Sequence, residues 1–168
     1  GGGGPIDGAF DFTDLRKEKA GQHFPSTREW LFQEVDQWYR HLRSDGGAGT
    51  RVPFWLTGDG GTGKSVISAV VLERYKDDVA AWHFCRHDNK EQSAPANLLR
   101  SLAAMLCTTV PGYEAALAAG TTAEIEEALA TSDPKVVFEA LLAAPLLKGK
   151  APEEVLLLVI DALDEIPK

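Results

Sequence analysis

Little in this chain is available for cross-linking. Its 168 residues include only two cysteines, Cys85 and Cys107. That is too few for a disulfide framework, so a reducing, cytoplasmic setting is expected. No apolar run approaches the length of a membrane span. The longest, VLLLVI at 155–160, has the length of a buried strand. No basic start followed by an apolar segment opens the sequence. Instead GGGGPIDGAF reads as a leader or linker remnant, and residues 1–22 are expected to be only partly ordered. Basic charge is also scarce, with 17 Lys and Arg against 25 Asp and Glu and a net charge of −8. Broad attraction to nucleic acid or anionic lipid is therefore absent, and neither is an expected partner. A basic surface interleaved with aromatics is missing, so Trp30, Trp38, Trp55 and Trp82 read as core and helix-packing residues.

What remains is the composition of an ordinary globular domain, 44% apolar and 25% charged, long enough for one substantial core. From position 24 the text turns helical. Thr27 or Ser26 can cap a helix whose apolar positions Trp30, Leu31, Val35, Trp38, Tyr39 and Leu42 recur at helical spacing. RVPFWLTG (51–58) reads as a short strand with Pro53 near its start, and 64–76 as a helix. VAAWHFC (79–85) reads as a second, buried strand, and 86–94 as a polar loop. A helix with Pro95 in its first turn follows, then one or two helices broken near Gly120. A further helix is capped by Asp133 and opens on Pro134, and a third strand ends at Asp161. Strands separated by helices predict an α/β domain with a parallel sheet over 23–168.

The segment GDGGTGKS (58–65) matches G-x-x-x-x-G-K-[ST] between a predicted strand and a predicted helix, the context this pattern needs. Gly60, Gly61 and Gly63 carry no Cβ, so the backbone can take positive φ and come close to a ligand. Successive N–H groups then face one anion, reinforced by the start of the next helix. Lys64 brings a positive charge to the β- and γ-phosphates, and the Ser65 hydroxyl suits Mg²⁺. The nucleotide-binding cradle is expected to comprise Gly58, Asp59, Gly60, Gly61, Thr62, Gly63, Lys64, Ser65 and Val66. A second signal supports it. The apolar run of VLLLVIDALDE (155–165) ends on Asp161, with Asp164 and Glu165 just beyond. In a parallel sheet all strand carboxyl ends share one edge, where ligands bind. Asp161 would emerge beside the glycine loop and steady a Mg²⁺ water; acids crowded near phosphate require such a cation.

With these residues in view, the chain resembles a NACHT-type domain of the STAND class of signalling P-loop NTPases, of the kind preceding WD or ankyrin-type repeats. The resemblance spans 24–168 and is carried by STREWLFQEVDQWY, FWLTGDGGTGKSVISAVVLERY, AAWHFCRHDNKEQSAPANLLRSLAAML, FEALLAAPL and VLLLVIDALDE. It implies a three-layer α/β/α P-loop fold, truncated after the Asp161 strand, in which the three predicted strands are neighbours. It implies ATP or ADP with Mg²⁺ as ligands, Ser65 and Asp161 at the metal, and Glu165 orienting the attacking water with Asp164 beside it. Lys64 joins them in catalysis. Arg28 matches a segment that lines the adenine and ribose side, although an exposed arginine at a helix start would look the same. The resemblance further implies domains C-terminal to this segment, slow hydrolysis acting as a switch, and homo-oligomer formation.

Weaker signals point elsewhere. His83, Cys85 and His87 alternate, and zinc uses such types, but a fourth partner is missing. NKEQ at 89–92 lacks the aspartate of a guanine reader, so ATP is preferred to GTP. Cys85 reads as a small buried cysteine rather than a nucleophile. The rival functions are a scaffold or self-association module without turnover, and a small-molecule kinase whose acceptor pocket and arginine-bearing lid are not legible.

Overall fold

The computed structural model describes residues 6, 8–23, 26–44, 52–149 and 155–165. Among them two strands pair in parallel, β1 (Val79–Phe84) and β2 (Leu157–Asp161). The fold is thus mixed helix and strand, as an α/β chain requires. Trp82 lies opposite Val159 and Phe84 opposite Asp161, with an irregularity between Val79 and Ala81.

The pleat sends alternate β2 side chains to opposite faces. Leu156, Ile160 and Ala162 pack into the largest core cluster, with α5 (Pro95–Thr109) at its centre. Leu98, Leu102 and Leu106, one helical turn apart, are all buried there. At ~1.5–3 kcal/mol per fully buried leucine, this stripe outweighs propensity differences of at most ~0.7 kcal/mol per residue. Val155, Leu157 and Val159 face the other way, toward α2 (Glu29–Ser44) and α3 (Lys64–Arg74). Asp36 of α2 accepts hydrogen bonds from both Arg74 and the Tyr75 hydroxyl, which locks those helices together.

On the α5 side, the polar loop expected at 86–94 contains one helical turn, α4 (Lys90–Ser93), capped by the Asn89 side chain. That cap accounts for NKEQ as local structure. Beyond α5 come α6 (Tyr113–Ala118) and α7 (Thr122–Ala130), separated at Gly120. Then α8 (Pro134–Phe138), capped by Asp133, runs through a wide π turn (Glu139–Ala143) into α9 (Ala144–Lys148). Pro145 explains the turn: it has no N–H for the Leu141 carbonyl and its ring clashes there. The buried Tyr113 hydroxyl donates to that carbonyl instead.

Four expectations need correction. The run 52–57 is in no strand, so the three predicted strands are not neighbours. Phe54 and Leu56 do pack inward against α2 and α3, but the alternation only shapes the segment; among the described residues no strand pairs with it to complete a ladder. Residues 1–22 are not simply a leader: Thr13–Gly21 form α1, held by Phe12 against Leu72 and Phe84. The leader glycines lie outside the described residues. The helix capped by Ser26 or Thr27 begins instead at Glu29, with the Arg28 carbonyl accepting from Leu31 and Phe32. Trp30 and Trp55 are not core, being 63% and 69% exposed. No helix among the described residues is long and apolar enough to cross a membrane.

Candidate functional site

The glycine-rich loop joins the extended run 52–57 to α3. Gly61 and Gly63 adopt φ of +77° and +80°, the left-handed region where a Cβ is costly. At Gly63 a Cβ would also stand 2.8 Å from Arg28 Nη1. Arg28 donates to the carbonyls of Thr62 and Gly63, so it contacts the loop itself rather than standing free at a helix start. Inside the loop Thr62 N–H and its hydroxyl both reach the Asp59 carbonyl. Val66 and Ile67 donate to the Gly63 carbonyl. The N–H groups of Gly61, Gly63, Lys64 and Ser65 have no backbone acceptor among the described residues, as a helix start leaves them. Lys64 Nζ donates to the carbonyls of Gly58 at 2.7 Å and Asp59 at 3.0 Å. Its ammonium therefore spans the loop, held by neutral acceptors that an anion can displace.

Beside the loop, at the carboxyl ends of β1 and β2, lies a cavity of about 230 Å³. Ser65 and Asp161 both line it, so these two predicted residues do share one site. Asp161 is buried, and its Oδ1 accepts from Ser68 Oγ at 2.9 Å. A hydroxyl and a carboxylate on one wall are hard oxygen donors of the kind Mg²⁺ takes. Ala162 then adopts φ +59° and turns the chain into a short 3₁₀ segment, Leu163–Glu165. Asp164 is exposed on that segment and is not on the cavity wall. The Glu165 side chain lies outside the described residues.

Sequence reasoning missed Ser68, which holds Asp161 without lining the cavity, and the rest of the wall. Ser68 lies three positions after Ser65, on the same helix face, and that spacing was a usable signal. Arg86, His87 and Asp88 follow β1 at the ligand-facing edge of the sheet, where the strand-end rule points. Arg86 grips Asp88 in a fork, Nε to Oδ1 at 2.9 Å and Nη2 to Oδ2 at 2.7 Å. That contact holds the Asp88 carboxyl below the usual range. Leu15, Glu18 and Lys19 of α1 complete the enclosure. Cys85 is buried at the cavity, and His83 is fully buried, its ring meeting Phe10 and Phe12 edge-on. His87 is exposed.

Comparison with known proteins agrees with the stretch that carries the motifs. Residues 26–168 match the model of the family described as nephrocystin 3, N-terminal. The chain belongs to that family. No curated protein and no solved structure matches it. The matched family is not the NACHT-type family of the resemblance, and its description names no nucleotide. The glycine loop, Ser65, Ser68, Arg86 and Asp161 lie within the family stretch, whereas α1 precedes it.

Proposed function

We propose that this domain binds ATP with Mg²⁺ on a three-layer P-loop architecture of the NACHT type. Slow hydrolysis then serves as a conformational and oligomerisation switch in signalling. One observation carries the reading. A loop with two left-handed glycines and a retained lysine opens beside a cavity lined by both Ser65 and Asp161.

The loop N–H groups without backbone acceptors orient the phosphates, and Lys64 exchanges its two carbonyls for their oxygens. Such charge-assisted hydrogen bonds are about twice as strong as neutral ones. Ser68 fixes one carboxylate oxygen of Asp161, a residue of the cavity wall. Magnesium, when bound, neutralises charge on the terminal phosphates. Hydrolysis then needs a water aligned in-line, the role that the resemblance assigns to Glu165 with Asp164. A second reading, nucleotide binding without turnover in a scaffold, is favoured by the exposed position of Asp164 away from the cavity wall.

Titration with ATP in the presence and absence of Mg²⁺, paired with phosphate-release measurements, tests both. Lys64→Ala is expected to weaken binding at least about tenfold, the value of a lost hydrogen bond to a charged group. Asp161→Asn is expected to remove the Mg²⁺ dependence. Unchanged affinity in Lys64→Ala would falsify the nucleotide reading. Binding without phosphate release selects the scaffold.

A further inference from the structure

The cavity wall carries two cations from outside the glycine loop, Lys19 on α1 and Arg86 after β1. We infer that Lys19 and Arg86 contact the terminal phosphoryl group of a bound nucleoside triphosphate and set the preference for triphosphate over diphosphate. The inference rests on the nucleotide reading above and adds residues to the same site.

Position is the first argument. Lys64 and Ser65 belong to the β/γ end of a nucleotide in a loop of this kind. Ser65 and Asp161 both line the cavity, which puts it on the side of the loop where the terminal phosphoryl, absent from a diphosphate, would extend. Both cations are held in place by buried anchors. Phe12 seats α1 in a cluster with Leu72 and Phe84. Arg16 reinforces it, with an ion pair to Glu73 at 3.1 Å and its guanidinium 5.6 Å from the Trp82 ring. The loop bearing Arg86 is tied down by the Ser93 hydroxyl, which donates to the Arg86 carbonyl, and by His83 Nε2 against the Gln92 carbonyl at 2.7 Å.

Charge is the second argument. The wall has three carboxylates, Glu18, Asp88 and Asp161, against the two cations. A divalent ion bound there would turn this small excess of acid into a small excess of positive charge, a balance that receives an anion. Lys19 pairs with its neighbour Glu18 at 3.4 Å, and Arg86 with Asp88. Solvent-accessible pairs of this sort contribute little, so trading them for a doubly charged phosphoryl is favourable. Arg86 presents a planar fork suited to phosphate oxygens, Lys19 a point charge.

The test is calorimetric titration of the full chain with Mg–ATP and with Mg–ADP. The variants are Lys19→Ala, Arg86→Ala, Lys64→Ala, and the control Lys17→Ala, an exposed lysine on the same helix. Lys19→Ala and Arg86→Ala are each expected to weaken ATP binding about tenfold while ADP affinity stays within about twofold, because only the triphosphate loses a charged hydrogen bond. Lys64→Ala weakens both nucleotides, and Lys17→Ala neither. If Arg86→Ala melts early without nucleotide, Arg86→Gln replaces it in the same comparison. An unchanged ATP-to-ADP ratio in either variant, with Lys64→Ala still weakening both nucleotides, overturns the assignment of that residue and leaves the nucleotide reading standing. Wild-type affinity in Lys64→Ala overturns both.

Discussion

His83 shows what burial does to one side chain. Its Nε2 faces the Gln92 carbonyl, its Nδ1 has no hydrogen-bond partner among the described residues, and two phenylalanine rings close over it. Desolvation holds its pKa below the ordinary 6.5, although the Gln92 carbonyl opposes the shift. The folded chain therefore binds a proton less readily than the unfolded one. Stability from this group is complete above pH 6.5 and is lost as the pH falls through the lower folded value. Urea midpoints at a series of pH values should decline below that point, and His83→Phe should flatten the decline between pH 6.5 and the carboxylate range. A second residue-scale case is Ala162, at φ +59°. A left-handed conformation costs an L-residue ~1–2 kcal/mol, and glycine returns ~0.4–1 kcal/mol of unfolded-state freedom. Ala162→Gly is expected to raise unfolding free energy by roughly 0.5–1 kcal/mol, measured by denaturant titration.

For elements, the α8–π–α9 run is the informative one. Its start was legible, because Asp133 and Pro134 are a cap and a first-turn proline. Its interior was not. Pro145 announces a defect, but how the freed Leu141 carbonyl is satisfied depends on Tyr113, which lies in another helix. Tyr113→Phe leaves that buried carbonyl unpaired and should cost about 1–3 kcal/mol. Pro145→Ala supplies an N–H four residues on, so the double variant should recover part of the loss in a denaturant cycle. Similar logic separates the strands. β1 and β2 were readable as apolar runs, each buried by neighbours whatever its pairing. Residues 52–57 alternate as a strand does, yet a ladder needs a second chain segment, and no local pattern encodes its presence. α1 escaped notice because its anchors, Phe10 and Phe12, lie just before the helix and act on His83 and Phe84, about seventy residues away. The same holds for the cavity: its motif residues are contiguous and legible, while Lys19 and Arg86 arrive through tertiary packing.

At the scale of the whole molecule the two edges of the sheet differ. Thr109 Oγ1 donates to the Ala80 carbonyl at 2.7 Å, and Met105 sulfur accepts the Trp82 N–H at 3.5 Å. Helix α5 thereby covers the outer side of β1. β2 pairs only with β1 among the described residues, and Leu158 on it is 47% exposed. Unpaired edges with apolar side chains invite association, and a lysine there blunts it. Leu158→Lys is expected to lower concentration-dependent association in sedimentation velocity while leaving the melting temperature within a few degrees. An unchanged sedimentation profile would remove this edge as the contact.

Because α5 seals one flank, the described residues leave the sheet a single place to add to. Two molecules that meet through it use up each other's valence, as an isologous contact about a two-fold axis does. Growth along this route therefore stops at a pair, and a filament would have to be built from some other surface.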